Sequence, residues 1–181
     1  ESEIYYTDEN GFLSLPNEVT YGNYELIEVI PPSGYVLNTT PVSFSIDGNT
    51  PEVIIRLSDK PEKGKISVLK RGEMFSSVEV SEDRYVPVFS EKGLKDAEFE
   101  VTAAEDIYTA DGTLRISKGA LADTLVTDES GEAESKELYP GKYLLREISA
   151  PEGYILNAEP CEITVVSGIT SAEIFNERKK Q

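Results

Sequence analysis

The chain repeats itself, and this limits its fold more than any other feature. Residues 7–11 read Thr-Asp-Glu-Asn-Gly and residues 127–131 read Thr-Asp-Glu-Ser-Gly. Gly22-Asn-Tyr-Glu-Leu-Ile-Glu-Val29 matches Gly141-Lys-Tyr-Leu-Leu-Arg-Glu-Ile148, and Pro32-Ser-Gly-Tyr-Val-Leu-Asn38 matches Pro151-Glu-Gly-Tyr-Ile-Leu-Asn157. Each block is followed by a proline (Pro41, Pro160), an alternating stretch, a glycine turn (Gly48, Gly168) and a last alternating stretch. Ordered matches at an offset of 119 or 120 mark two copies of one module. The copies are unequal, because about sixty residues precede the Thr-Asp-Glu-Ser-Gly block in the second and only six precede its counterpart in the first. Residues 1–59 are therefore expected to be the C-terminal part of a module. Residues 60–63 read as a linker, and residues 64–181 as a complete module with an insertion around 73–91.

The local texture is β. Tyr24 to Glu28, Val42 to Ile46, Ile66 to Lys70, Phe99 to Val101, Tyr143 to Glu147 and Glu162 to Val165 alternate apolar and polar residues, the period of a half-buried strand. Asn10-Gly11, Asp47-Gly48, Asp111-Gly112 and Ser130-Gly131 mark turns. Ile4-Tyr5-Tyr6 and Val53 to Asp59 also read as strands. Lys118 to Val126 fits either period and is assigned to strand. Val78-Glu79-Val80 and Tyr85-Val86-Pro87-Val88 predict a hairpin within the insertion. Composition narrows the function. The formal charge of −17, from 34 acidic and 17 basic residues, opposes binding to nucleic acid or anionic membrane. The absence of histidine removes the usual neutral-pH base and the commonest metal ligand. A single cysteine allows neither an internal disulfide nor a thiolate zinc site. No apolar run reaches membrane-spanning length, so no membrane insertion is expected in this segment. No metal or other cofactor is expected.

Strand parity sets three polar residues beside apolar ones. Residues i, i+2 and i+4 of a strand share a face. Lys70 thus shares one with Ile66 and Val68, Glu147 with Tyr143 and Leu145, and Asn176 with Ala172 and Ile174. Three polar residues extending three apolar faces fit a buried polar cluster. Ordinary surface positions, or an ionic network, fit the same parity. Lys65, the nearest rival lysine, falls on the opposite face.

The block Tyr139-Pro-Gly-Lys-Tyr-Leu-Leu-Arg-Glu-Ile-Ser-Ala-Pro-Glu-Gly-Tyr154 resembles the signature of Cna protein B-type domains, also called prealbumin-like or SpaA-type pilin domains, of Gram-positive surface proteins. Gly64-Lys-Ile-Ser-Val-Leu-Lys70, Gly93-Leu-Lys-Asp-Ala-Glu-Phe-Glu-Val101 and Ile174-Phe-Asn-Glu177 support the resemblance, which covers 64–181 and the shortened copy at 1–59. Residues 73–91 depart from the usual pattern. The resemblance implies an all-β fold of tandem small antiparallel β-sandwiches or partly open barrels, Ig-like Greek keys, the first copy truncated. It also implies a cofactor-free intramolecular isopeptide bond, with Lys70 joined to Asn176 and Glu147 as catalyst.

The chemistry suits the three residue types. Attack on a carboxamide needs a neutral amine, and an apolar site favours that form of Lys70. Glu147, acting as an acid toward the Asn176 carbonyl, would polarise it and shuttle protons as ammonia leaves. Such a reaction is single-turnover, so no enzyme is expected. In the first copy Glu28 takes the place of Glu147 and Asp59 the place of the acceptor. Residues 1–59 contain no lysine, so the site is either vestigial or partnered from upstream. Cys161 shares parity with Ile163 and Val165 and reads as a small core residue. The expected role is a stalk or spacer of a cell-wall-attached adhesin or pilus-like protein, in contact with neighbouring domains of that protein. The alternative is an adhesive module that binds a host matrix protein or glycan, with residues 73–91 as the contact. The open edge of the first copy is a candidate for self-association by strand addition.

Overall fold

In a computed structural model the described residues are 3–15, 19–49 and 52–179. The chain divides into two compact units, Glu1–Lys60 and Pro61–Gln181. The described residues contain no helix, so none is long and apolar enough to cross a membrane.

The first unit contains β1 (Gly22–Leu26), β2 (Tyr35–Val36) and β3 (Val42–Ile46). β1 and β3 pair antiparallel with Tyr24 opposite Phe44, and the two rings stack at 5.5 Å. Tyr24, Leu26, Val42, Phe44 and Ile46 line one face, yet each is only half-buried, and no described residue of this unit is buried. Two expectations fail here. Neither Ile4-Tyr5-Tyr6 nor residues 53–59 form a strand. Their counterparts in the second unit gain strand geometry by laddering onto partners that residues 1–60 do not contain, and an extended segment without a ladder neighbour leaves its backbone groups to water.

β4 (Lys60–Pro61) spans the boundary between the units. The second unit then runs β5 (Gly64–Ser81), β6 (Arg84–Gly93), β7 (Glu98–Ala103), β8 (Ile107–Tyr108), β9 (Leu114–Ile116), β10 (Leu121–Val126), β11 (Glu132–Glu134), β12 (Gly141–Ser149), β13 (Cys161–Val165) and β14 (Gly168–Asn176). One sheet has the order β10-β7-β12-β13 and is antiparallel throughout. The other has the order β11-β5-β14, in which β5 and β14 run parallel. Alternation makes the core. Ile66 and Val68 of β5 meet Phe99, Val101, Tyr143, Leu145, Ile163 and Val165 of the other sheet, all buried. Tyr143 is wholly buried, and its hydroxyl donates to the Tyr139 carbonyl at 2.8 Å. That bond satisfies the polar end of a large apolar side chain.

The insertion is a continuation of β5 beyond the core. From Glu73 onward β5 pairs only with β6, and both strands of this ribbon are almost entirely exposed. Val80 lies opposite Tyr85, and Glu82 and Asp83 close the turn with φ of 49° and 59°. Positive φ at both central residues is the mark of a tight hairpin turn whose twist matches its strands. The residue pairs predicted for this hairpin lie within it, and Lys118 to Val126 supplies β10.

Candidate functional site

The inward face of β5 reads Ile66, Val68, Lys70, Gly72, all buried. Strand alternation gives Lys70 no alternative to the core side, and its side chain is 0% exposed. Parallel pairing with β14 sets Asn176 beside Gly72, one step further along the same face. Glu147 enters from the opposite sheet, opposite Phe99, where a register irregularity separates it from Ser149. Bulges of this kind re-aim side chains beside functional sites. The three residues predicted from parity therefore converge, with Glu147 2% and Asn176 1% exposed.

Their contacts form a closed set. The Lys70 amine donates to Asn176 Oδ1 at 2.5 Å and lies 3.1 Å from Glu147 Oε1. Asn176 Nδ2 donates to Glu147 Oε1 at 2.9 Å and to Oε2 at 3.1 Å. The Asn157 backbone N–H donates to Glu147 Oε2 at 2.8 Å. The Phe99 ring centroid lies 5.6 Å from the Lys70 amine. Burial pulls the Lys70 amine below its ordinary value, and its hydrogen bond to and attraction by Glu147 oppose that only in part. One detail differs from expectation. Glu147 faces the amide nitrogen of Asn176, where sequence reasoning put it on the carbonyl. An ammonium has only donors, so it takes the amide oxygen and leaves the NH₂ to the carboxylate.

The first unit repeats part of this arrangement. The Asn38 backbone N–H donates to Glu28 Oε2 at 2.8 Å, matching Asn157 on Glu147. Asp59 also reaches Glu28, and its carboxyl is pushed up, first by burial and then by the neighbouring Glu28 charge and hydrogen bond. Asp59 Oδ1 is buried and has no hydrogen-bond partner. Glu28 and Asp59 are thus brought together, with no amine between them among the described residues.

Three contributors were missed in the sequence: the Asn157 N–H, the Phe99 ring, and Tyr154 packed beside Gly72. The repeat carried a signal for two of them, since Asn157 and Tyr154 recur as Asn38 and Tyr35. Cys161 is a correction, because it is exposed. Its parity is inward and it pairs with buried Leu145, but it is the first residue of β13, the edge strand of its sheet. Among the described residues no group of three or more His, Cys, Asp or Glu could hold a metal ion.

Comparison with known proteins agrees with this architecture. The chain is 46% identical over 44 residues to the trypsin-resistant surface T6 protein of Streptococcus pyogenes, covering 24% of this chain and 8% of that protein. The Bacillus anthracis TIE protein matches in structure with a TM-score of 0.60 and 23% identity, over 95% of this chain and 28% of that one. GBS52, the minor pilin of Streptococcus agalactiae, matches over 91% of this chain and 63% of that one, at 22% identity and a TM-score of 0.43. The chain thus spans under a tenth of the curated relative and under a third of the Bacillus protein. The family model described as "SpaA: Prealbumin-like fold domain" matches residues 1–61 and 89–178, and the chain belongs to that family.

Proposed function

We propose that residues 64–181 form a stalk module of a Gram-positive surface or pilus protein, fastened by a self-made Lys70–Asn176 isopeptide bond. The observation that carries this reading is the buried triad, in which amine, carboxamide and carboxyl touch one another in the core. Glu147 Oε1 takes a proton from the Lys70 ammonium, and the freed amine attacks Asn176 Cγ. As Glu147 hands that first proton to Asn176 Nδ2, the Lys70 nitrogen gives its second proton to Glu147. The C–Nδ2 bond breaks as Nδ2 is protonated through Glu147, with which it already shares hydrogen bonds. A secondary amide forms, ammonia leaves and Glu147 ends protonated, so the core passes from an ion pair to uncharged groups without a cofactor. The step happens once per chain and is self-modification, without turnover.

Intact mass under denaturing conditions tests this. The expected result is a mass short by one ammonia, a Lys70–Asn176 cross-linked peptide after digestion, and full mass in Glu147→Ala. Full mass in the wild-type chain refutes it. In residues 1–59, Glu28 and Asp59 form the carboxyl half of a second such site, open to a lysine from outside this segment. The expected product is a peptide joined at Asp59, in a longer chain or with a neighbouring one; its absence from every such digest counts against the idea. A second reading, adhesion to a host protein or glycan, is favoured by the ribbon, where Phe75, Val80 and Tyr85 are 53%, 69% and 80% exposed. Ribbon-dependent retention on immobilised matrix proteins or glycans supports it, and equal retention of a ribbon-shortened chain defeats it.

A further inference from the structure

The Lys70 row of β5 ends at Gly72, and what fills the missing side chain is Tyr154. A β-carbon on Gly72 would lie 2.6 Å from Tyr154 Cε1, 2.7 Å from Leu94 Cδ1 and 3.0 Å from the Asn176 backbone carbonyl oxygen. Gly72 is therefore bare because the Tyr154 ring and the Leu94 side chain take the space of a β-carbon at the position after Lys70 on this face. The ring is held at both ends. Its hydroxyl donates to the Glu73 carbonyl at 2.7 Å, tying it to β5 past the glycine. Its backbone N–H donates to the Pro151 carbonyl at 3.1 Å in the turn that carries Gly153 at φ 84°.

The same turn grips the chain just after the acceptor. Ile155 N–H donates to the Glu177 carbonyl at 2.8 Å, and Lys179 N–H donates to the Gly153 carbonyl at 2.9 Å, so Tyr154 and Arg178 form a bridge pair. Asn157, two residues beyond Ile155, donates to Glu147. One short segment, 151–157, thus covers the end of the Lys70 row, clamps β14 beyond Asn176 and fixes the carboxyl of Glu147.

We infer that Tyr154 is a positioning residue for the Lys70–Asn176 reaction, a plug seated on Gly72 that keeps water from the amine and holds the carboxamide in line. This rests on the isopeptide reading above. Water exclusion favours the neutral amine, since desolvation is the main force on Lys70 and Glu147 is the ionic group in contact with it. Arg178 and Glu73 flank the plug itself. Holding the carboxamide matters because small misplacements of reacting groups cost large factors in rate.

The test follows linking in chains recovered unfolded and refolded by dilution, with intact mass read over time at several pH values. Tyr154→Ala is expected to link at least about tenfold more slowly, with its rate rising only at higher pH than in the wild type, because a wetted amine stays protonated longer. Tyr154→Phe keeps the ring and is expected to link at near the wild-type rate. Gly72→Ala displaces the ring and is expected to behave like Tyr154→Ala, which covers the case in which one variant fails to fold. Unchanged rate and pH profile in both disruptive variants overturns the inference. Should the wild-type chain keep its full mass, the isopeptide reading falls, and the plug is judged by acylation of Lys70 with a small amine reagent. Protection in the wild type and labelling in Tyr154→Ala support it, and equal labelling overturns it.

Discussion

Replacing Lys70 by Met and Glu147 by Gln together separates the worth of the covalent link from the cost of burying charge. Lys70 and Asn176 are 106 positions apart, so a bond between them would close most of the second unit into one loop. For a loop of about 100 residues the chain-entropy model gives roughly 4.7 kcal/mol of stabilisation at 25 °C. In a unit of this size that is roughly 15–25 °C in melting temperature. The double variant removes the nucleophile and both buried charges while keeping side chains of similar length, and Asn157 retains an acceptor on the new glutamine. Its loss should therefore approach the loop term alone. Glu147→Ala also abolishes the link but leaves an ammonium buried without its counter-charge, which adds about 3–5 kcal/mol. The assay is thermal unfolding followed by circular dichroism, with intact mass taken on the same samples. If the wild type is short by one ammonia and the double variant melts within about 3 °C of it, the loop argument is wrong. If Glu147→Ala melts no lower than the double variant, the argument about the stranded ammonium is wrong.

Two further outcomes follow from the second unit. Thr127 is buried, donates through Oγ1 to the Leu94 carbonyl at 2.7 Å and accepts from Ala97 N–H at 3.0 Å; Thr127→Val should cost about 2–3 kcal/mol in denaturant melts and Thr127→Ser much less, since the substitution strands two buried backbone groups. In Asn176→Ala, which cannot link, Lys70 stays an amine whose folded value is depressed by burial below its ordinary 10.5. Between those two values the unfolded chain binds the extra proton, so stability should rise with pH there and level off below, and Lys70→Met in the same background should flatten the slope. An unchanged slope would show that Lys70 is not the group responsible.

The triad was legible in the sequence because the resemblance singled out the three residues and parity set each on an apolar face, and parity needs no knowledge of the partner. Ile66, Val68 and Lys70 must share a side whatever covers them. The repeat made the module boundaries legible for a similar reason, since matched turns and strands recur in order. What parity does not say is whether a strand has a neighbour. Residues 53–59 alternate well enough, yet they have no counterpart of β5 to ladder onto, so they stay irregular. Nor does it say where a face stops being covered, which is why Cys161 is exposed at the head of an inward row. The Asn157 contribution is a backbone N–H, so the recurring asparagine marks its place while its side-chain type says nothing of what it does. The orientation of the Asn176 amide was set by donor counting around the ammonium, which requires the contacts themselves.

The parallel pairing of β5 and β14 has a mechanical meaning. The chain enters the module at the start of β5 and leaves at the end of β14, and the two strands lie side by side over nine paired residues, Gly64 opposite Gly168 and Gly72 opposite Asn176. Tension on the two ends therefore drags the strands in opposite senses along their shared axis. All the ladder's hydrogen bonds bear the strain at the same moment, whereas an antiparallel pair gripped at one end would unzip bond by bond. With Lys70 joined to Asn176, tension would pass from Gly64 along one short stretch of β5 and straight out of the module. The ribbon, the turns and the other sheet would lie off that route, free to vary without weakening it.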